Sequence, residues 1–249
     1  MRRLLRIVDP LVRSAPADRA LGAVFRLWVS ALSRAEPRAA ARRLLELQDQ
    51  LAARVDLLAV DLDGGVHAKH RLIGYHDFFV SRVRPGERVL DVGCGKGELA
   101  YDLAERAGAA VTGIDRNPEA LRFARSRFRS ERLELVEADA LEWTPPAPFD
   151  VVVLSNVLEH VAARPELLRR LVELARPARL LLRVPVLERD WTIGLRRELA
   201  LPFYSDPTHE TEYSREQLAA ELASAGLRIA ELDERWGELW AVAEPAPAP

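Results

Sequence analysis

Cysteine is almost absent from this 249-residue chain: Cys94 is the only one. A single thiol forms no internal disulfide and cannot supply the cysteines of an iron–sulfur site. It also argues against a dedicated cysteine nucleophile, because Cys94 lies inside a glycine-rich loop. The role that suits it there is a small side chain that packs well. Lysine is nearly as scarce. Among 36 basic residues only Lys69 and Lys96 are lysines, a bias that points to genome composition rather than to function. No apolar run approaches the roughly 20 residues that cross a bilayer. Arg2, Arg3 and Arg6 imitate the charged start of a signal peptide, but Asp9, Pro10 and Arg13 interrupt the apolar part. The expectation is a cytoplasmic protein.

Hydrophobic residues make up 49% of the chain, enough for a full core, and the net charge is −2. The charge is unevenly placed. Residues 1–43 carry ten arginines against Asp9, Asp18 and Glu36. Such a run is usually a solvated helix face, although a basic arm can also touch an anionic membrane surface. No basic, aromatic-rich recognition module is visible elsewhere, so nucleic acid is not an expected partner.

The most informative stretch is Val89-Leu-Asp-Val-Gly-Cys-Gly-Lys-Gly97. An apolar run ending in Asp91 reads as a buried parallel strand. Gly93, Gly95 and Gly97 then permit a tight turn and a close approach of backbone to ligand. Many nucleotide sites use such a loop, so alone it is a weak signal. Asp91 sharpens it. A carboxylate would repel a pyrophosphate, which disfavours a nicotinamide oxidoreductase, and would welcome an amino group. Three more runs end in polar residues. Val111–Asp115 closes on an acid 22 positions after Gly93, about the spacing for a ribose-binding acid. Leu133–Glu137 leads to Asp139 and Ala140, and Phe149–Ser155 runs into Asn156, Glu159 and His160.

This ordered series resembles the class I S-adenosylmethionine (SAM)-dependent methyltransferases, particularly the small-molecule type, over about residues 67–243. The resemblance implies an α/β, Rossmann-like doubly wound sheet of seven strands in the order 3-2-1-4-5-7-6. It implies SAM as cofactor, with Asp91 and the Gly93, Cys94, Gly95, Gly97 loop at its methionine end. Asp115, with Arg116 beside it, would take the ribose; Asp139 and Ala140 the adenine; Asn156 the methyl-transfer end. The implied reaction is methyl transfer to a small molecule, a hydroxyl oxygen first and an amine or carbon next. A hydroxyl acceptor calls for a base, and His209 and His160 are the two candidates, with Asp206 placed to orient His209. The fourth-strand loop lacks the Asn/Asp-Pro-Pro-Tyr pattern of enzymes that methylate nucleic-acid amino groups. A catalytically silent SAM-fold subunit that binds a partner is the alternative of another class.

The remaining segments are read from pattern. Apolar positions at 21, 24, 25, 28 and 32 and again at 44, 47, 51, 55 and 58 give two amphipathic helices. Residues 1–66 thus form a helical appendage, read as a lid over the pocket, a homodimer contact or a membrane-surface contact. Leu57–Gly65 resembles the nucleophile motif of haloacid-dehalogenase phosphatases, but the later sheet is already assigned, so Asp63-Gly64-Gly65 reads as a turn. His67, His70 and His76 lack the cysteine or carboxylate spacing that completes a metal site, and no metal is expected. Their segment reads as a helix at the mouth of the pocket, with Tyr75 and His76 near ligand. Pro165–Leu174 reads as a helix and Arg179–Val184 as a strand. Residues 187–213 read as an irregular insert that recognises substrate through Trp191, Tyr204 and Asp206. A helix capped by Ser214 and Gln217 follows, then a hairpin of strands 227–233 and 238–243, and a disordered tail 244–249.

Overall fold

The computed structural model describes residues 15–32, 34 and 36–247, and of residues 15–18 the backbone only. The arginines at 2, 3, 6 and 13 and the last two residues of the tail lie outside the described residues. What is described falls into two compact units. One comprises the residues up to His67 together with Gly194–Leu201; the other comprises Ala68–Ile193 and the residues from Pro202 onward.

The first unit is built on helices α1 (Ala15–Leu32) and α2 (Pro37–Leu62). Glu36 starts α2 by accepting hydrogen bonds from the Arg38 and Ala39 amides at 3.0 and 2.8 Å, with Pro37 in the first turn, where its missing N–H is harmless. Leu45 of α2 packs with Leu199 and Leu201, and Arg196 pairs with Asp49 at 2.7 Å. Leu21, Phe25 and Trp28 of α1 are exposed. Residues 57–62 belong to α2, so Asp61 and Asp63 stand in a helix end and the turn after it. A phosphatase nucleophile needs the end of a parallel strand, and that reading is excluded.

The second unit opens with two short helices, α3 (Lys69–Ile73) and α4 (Tyr75–Val80), broken at Gly74 with φ 60°. The sheet then forms from β1 (Arg88–Val92), β2 (Ala110–Asp115), β3 (Leu133–Glu137), β4 (Val151–Ser155), β5 (Arg179–Pro185), β6 (Leu227–Arg235) and β7 (Glu238–Pro245). Its order is β3-β2-β1-β4-β5-β7-β6, as expected. The first five strands are parallel, and β7 runs antiparallel to β5 and β6. Helices α5 (Glu98–Glu105), α6 (Pro118–Arg127), α7 (Arg164–Ala175) and α9 (Arg215–Ser224) belong to this unit. The expected capping box at Ser214 and Gln217 is present.

Both faces of the sheet are buried, which is why its central strands are apolar throughout. Leu90, Val92, Val152 and Leu154 join one core; Val89, Val151 and Val153 join the other, as the two-residue period of a strand demands. The second core also holds Phe78, Phe79 and Trp240.

Two segments differ from expectation. Thr192–Glu198 (α8) is helical within the supposedly irregular insert. The Asp190 carboxylate accepts the Thr192 amide at 2.7 Å and starts that helix. Strand β7 runs on through Glu244 and Pro245, into the segment expected to be tail, because Arg228 of β6 pairs with Glu244 and the Ala246 amide bonds to Gly226.

Trp240 is fully buried, with its ring centroid 5.5 Å from that of Phe78. Trp240→Ala should lower unfolding free energy by about 3–5 kcal/mol, read as a lower urea midpoint at unchanged slope. A midpoint unmoved by this change would mean that β7 is not part of the cooperative core.

Candidate active site

Strand register brings the site together. Asp91 of β1 pairs with Gly113 of β2 and Val153 of β4, so β1, β2 and β4 end along one edge. The strand order turns back between β1 and β4, the switch point at which open α/β sheets bind ligands. Gly93 has φ 67°, and a Cβ built there would lie 2.8 Å from the Val157 side chain. A Cβ at Gly95 would meet nothing within 4 Å, which leaves open space beside the loop. Cys94 points the other way. A Cβ at Gly113 would lie 3.0 Å from its Sγ, and burial pushes its thiol pKa well up, so it packs rather than reacts.

Asp91 is the electrostatic centre of this end. It is 2% exposed, and its Oδ2 has no hydrogen-bond partner among the described residues. Burial, then repulsion from Asp115, pushes its pKa up to about 8. A buried carboxylate without a partner is costly, and an ammonium group supplies both the missing bond and the missing charge. The amino group of SAM would meet both needs. Asp115 closes the loop over it: Oδ2 accepts the Gly95 amide at 2.8 Å and Oδ1 the Asn117 amide at 2.7 Å. Arg116 is exposed beside it. Asp139 is exposed, with Oδ1 accepting the Leu141 amide at 2.9 Å, and Ala140 packs on the adjacent core.

Past β4 the chain turns at Asn156, held at φ 55°, a left-handed conformation that asparagine tolerates better than most residues. Its Oδ1 accepts from Arg183 Nε at 2.5 Å. Arg183 is 3% exposed, pairs with Glu238 at 3.4 Å and lies 3.7 Å over the Tyr75 ring. Tyr75 is buried, and its pKa is raised by burial first, with Arg183 opposing. His76 donates Nδ1–H to Asp102 Oδ2, 2.9 Å away, and its Nε2 stands 3.2 Å from His70 Nδ1.

A 3₁₀ turn, Leu158–His160, follows. The Glu159 carbonyl accepts the Glu210 amide at 2.7 Å and the Thr211 amide at 3.4 Å, which docks the insert onto this turn. His160 and His209 are thereby brought edge to face, with ring centroids 4.7 Å apart. The two residues that compete for one role in the sequence share one place in the structure. His209 is oriented by Glu212 Oε1 at 3.0 Å, not by Asp206. The Asp206 carboxylate is already taken by the amide and hydroxyl of Thr208, at 2.7 and 2.6 Å. Glu212 is fully buried in its side chain and also binds Arg189, Ser205 N and Ser205 Oγ. Tyr204 is half-buried against Phe203, and Trp191 is 79% exposed.

Three residues of this arrangement escaped sequence reasoning: Glu159 as a buried acid, Arg183 and Glu212. Arg183 left a signal, a charge within the apolar run Leu180–Val184. Glu212 left none, because only the folded insert shows that it is enclosed.

A family model described as a methyltransferase domain matches residues 89–178. The ubiquinone biosynthesis O-methyltransferase of Pseudoalteromonas translucida is 31% identical over 181 residues, 68% of this chain and 76% of that protein. The Azoarcus protein of the same name is 41% identical over 96 residues, but the chain spans only 41% of its length. Among solved structures, magnesium protoporphyrin IX methyltransferase from Synechocystis with bound SAH superposes with a TM-score of 0.57 at 19% identity, covering 72% of this chain and 84% of that one. At that identity the likeness is one of fold.

Two outcomes test the cofactor end. Asp115→Ala should weaken SAM binding by about 1–3 kcal/mol, the range for charge-assisted hydrogen bonds, in calorimetry on a folded variant. Asp91, whose pKa is raised to about 8, is protonated in the free protein at pH 6–7 and must ionise against an ammonium. SAM binding there should release close to one proton, measured as the dependence of binding enthalpy on buffer ionisation enthalpy, and Asp91→Asn should abolish that release. Equal proton release by both forms would separate Asp91 from the amino group.

Proposed function

Because the chain belongs to the class I SAM-dependent methyltransferases, we propose that it transfers a methyl group from SAM to a hydroxyl oxygen of a small molecule. The observation that carries this reading is the pairing of two unlike ends along one sheet edge. One end has an unpartnered buried carboxylate suited to an amino acid's ammonium; the other has two adjacent imidazoles. When bound, SAM supplies an electrophilic methyl on a sulfonium, transferred by in-line displacement. The chain itself aligns the acceptor, excludes water and manages the acceptor's proton.

Proton management favours oxygen over nitrogen or carbon as acceptor. A neutral amine brings its own lone pair, whereas a hydroxyl must lose a proton as it is methylated. Thr208 Oγ1 donates to Asp206, so it accepts from Nδ1–H of His160 at 3.0 Å. Glu212 likewise fixes the Nδ1–H of His209. In both rings the lone pair is therefore left on Nε2. Substrate selection falls to the insert, through Trp191, Tyr204 and Asp206, with Tyr75 and Asn156 beside the cofactor end. Among the described residues no helix is long and apolar enough to cross a membrane.

The chain, incubated with SAM and a panel of hydroxylated and amine-bearing small molecules, should yield O-methylated products by mass spectrometry. His209→Ala should cut turnover about 10²–10⁴-fold while SAM affinity stays unchanged, since the imidazole acts on the acceptor. Amine products alone, at rates indifferent to His209, would overturn the oxygen reading.

A further inference from the structure

We propose that α1 and α2 form a homodimer interface, in which the helix pairs of two copies close across a two-fold axis into a four-helix bundle. Every residue of this interface lies outside the methyltransferase domain match at 89–178.

The first observation is where apolar surface is left uncovered. Among the described residues, ten of the thirteen exposed large apolar side chains lie between Leu21 and Leu62. Leu27 is 72% exposed and Leu62 78%. Single exposed apolar side chains are ordinary, but a concentration of them on two consecutive helices marks an interaction surface.

The second is the pattern of that surface. In α1, Leu21, Phe25, Trp28 and Leu32 recur at intervals of four, three and four. In α2, Leu51, Val55, Leu58 and Leu62 repeat the same intervals. That is the 3.5-residue period of a seam that packs on another helix. Residues 33–36 join the two helices, a length typical of antiparallel neighbours. Phe25 and Val29 of α1 line one groove with Leu44, Leu47, Leu51 and Val55 of α2, so the two seams meet there. Another face of α2 is already occupied, through Leu45 against Leu199 and Leu201 and through Asp49 against Arg196. At about 1.5 Å per residue the helices are roughly 27 and 39 Å long, and faces about 10 Å across give on the order of 700 Å². Each partner in a standard interface contributes about 800 Å². A helix pair with such a face is completed by a second pair of the same kind.

The third observation is charge, which selects a second copy over a lipid surface. Between Ala15 and Leu62 seven arginines stand against six acids, so these helices carry little net charge to draw them to anionic lipid. Asp56 and Asp61, interleaved with Leu57, Leu58 and Leu62, are repelled by such a surface. The same charges suit an antiparallel copy. Helix α2 has no acid in its first turn and no base in its last; Arg38 and Asp61 stand there instead, against the helix's own dipole. A partner helix running the other way reverses that mismatch. Arg43 and Asp61 are 18 positions apart, five turns, and so share one flank of the α2 seam at its two ends. Two-fold docking brings like flank to like flank and sets Arg43 of each copy beside Asp61 of the other.

The test is sedimentation of the full chain at micromolar concentration, which should give twice the 27.9 kDa of one chain. The double variant Leu51→Glu, Val55→Glu should sediment at the mass of one chain, with helix content and SAM affinity unchanged as the check on folding. Both positions are exposed, so the change costs the isolated chain little. Arg43→Asp and Asp61→Arg should each weaken dimerisation about tenfold, since each removes two exposed pairs per dimer, and the two changes together should restore it. A monomeric full chain, or a dimer indifferent to Leu51→Glu, Val55→Glu, would overturn the interface. A combined charge swap that restores nothing would overturn the antiparallel docking. Capture of a monomeric chain by vesicles of phosphatidylcholine and phosphatidylglycerol, lost in the Leu51→Glu, Val55→Glu variant, would assign the face to a bilayer and overturn the second copy.

Discussion

Everything at the functional edge depends on one constraint, the parallel register of β1 between β2 and β4. A strand's side chains alternate with a period of two, so a slip of one residue would turn Asp91 to the opposite face. Register is strongly specified here because both faces are buried. Leu90 and Val92 must enter one core while Val89 enters the other. Packing thus enforces the placement of a carboxylate that packing alone would reject. Asp91 sits near the end of a buried apolar strand, and that burial, with Asp115 nearby, raises its pKa to about 8.

A second fixed point lies beyond β4. Glu212 collects Arg189, Ser205 and His209 around one enclosed carboxylate. Loops are normally the mobile part of an α/β fold, but this knot gives the insert an internal anchor. The Val186–Tyr213 bridge ties the same segment to the end of β5. The insert is therefore held in place although it contains no long regular element.

The sheet order, the strand-end acids and the caps were legible because each is written locally. Apolar runs, glycines at fixed offsets and Ser214–Gln217 need no knowledge of distant residues. The pairing of His160 with His209 was not legible, since 49 positions separate them and a backbone hydrogen bond, invisible in sequence, brings them together. The partner of His209 was misread for a related reason. Asp206 and Glu212 both stand three residues away, and sequence cannot say which carboxylate is spent on a turn. The helix Thr192–Glu198 was missed because it is short and opens on Thr192 and Gly194, both poor helix formers.

The docking of the insert onto Glu159 uses main-chain atoms of residues 210 and 211, and the Glu210 side chain is exposed. A joint made of amides and a carbonyl is indifferent to what those positions encode. Descendants of this sequence can therefore exchange side chains along that rim while the imidazoles keep their stations. Heritable change along the rim and the spacing of His160 and His209 are thereby uncoupled at the level of the backbone.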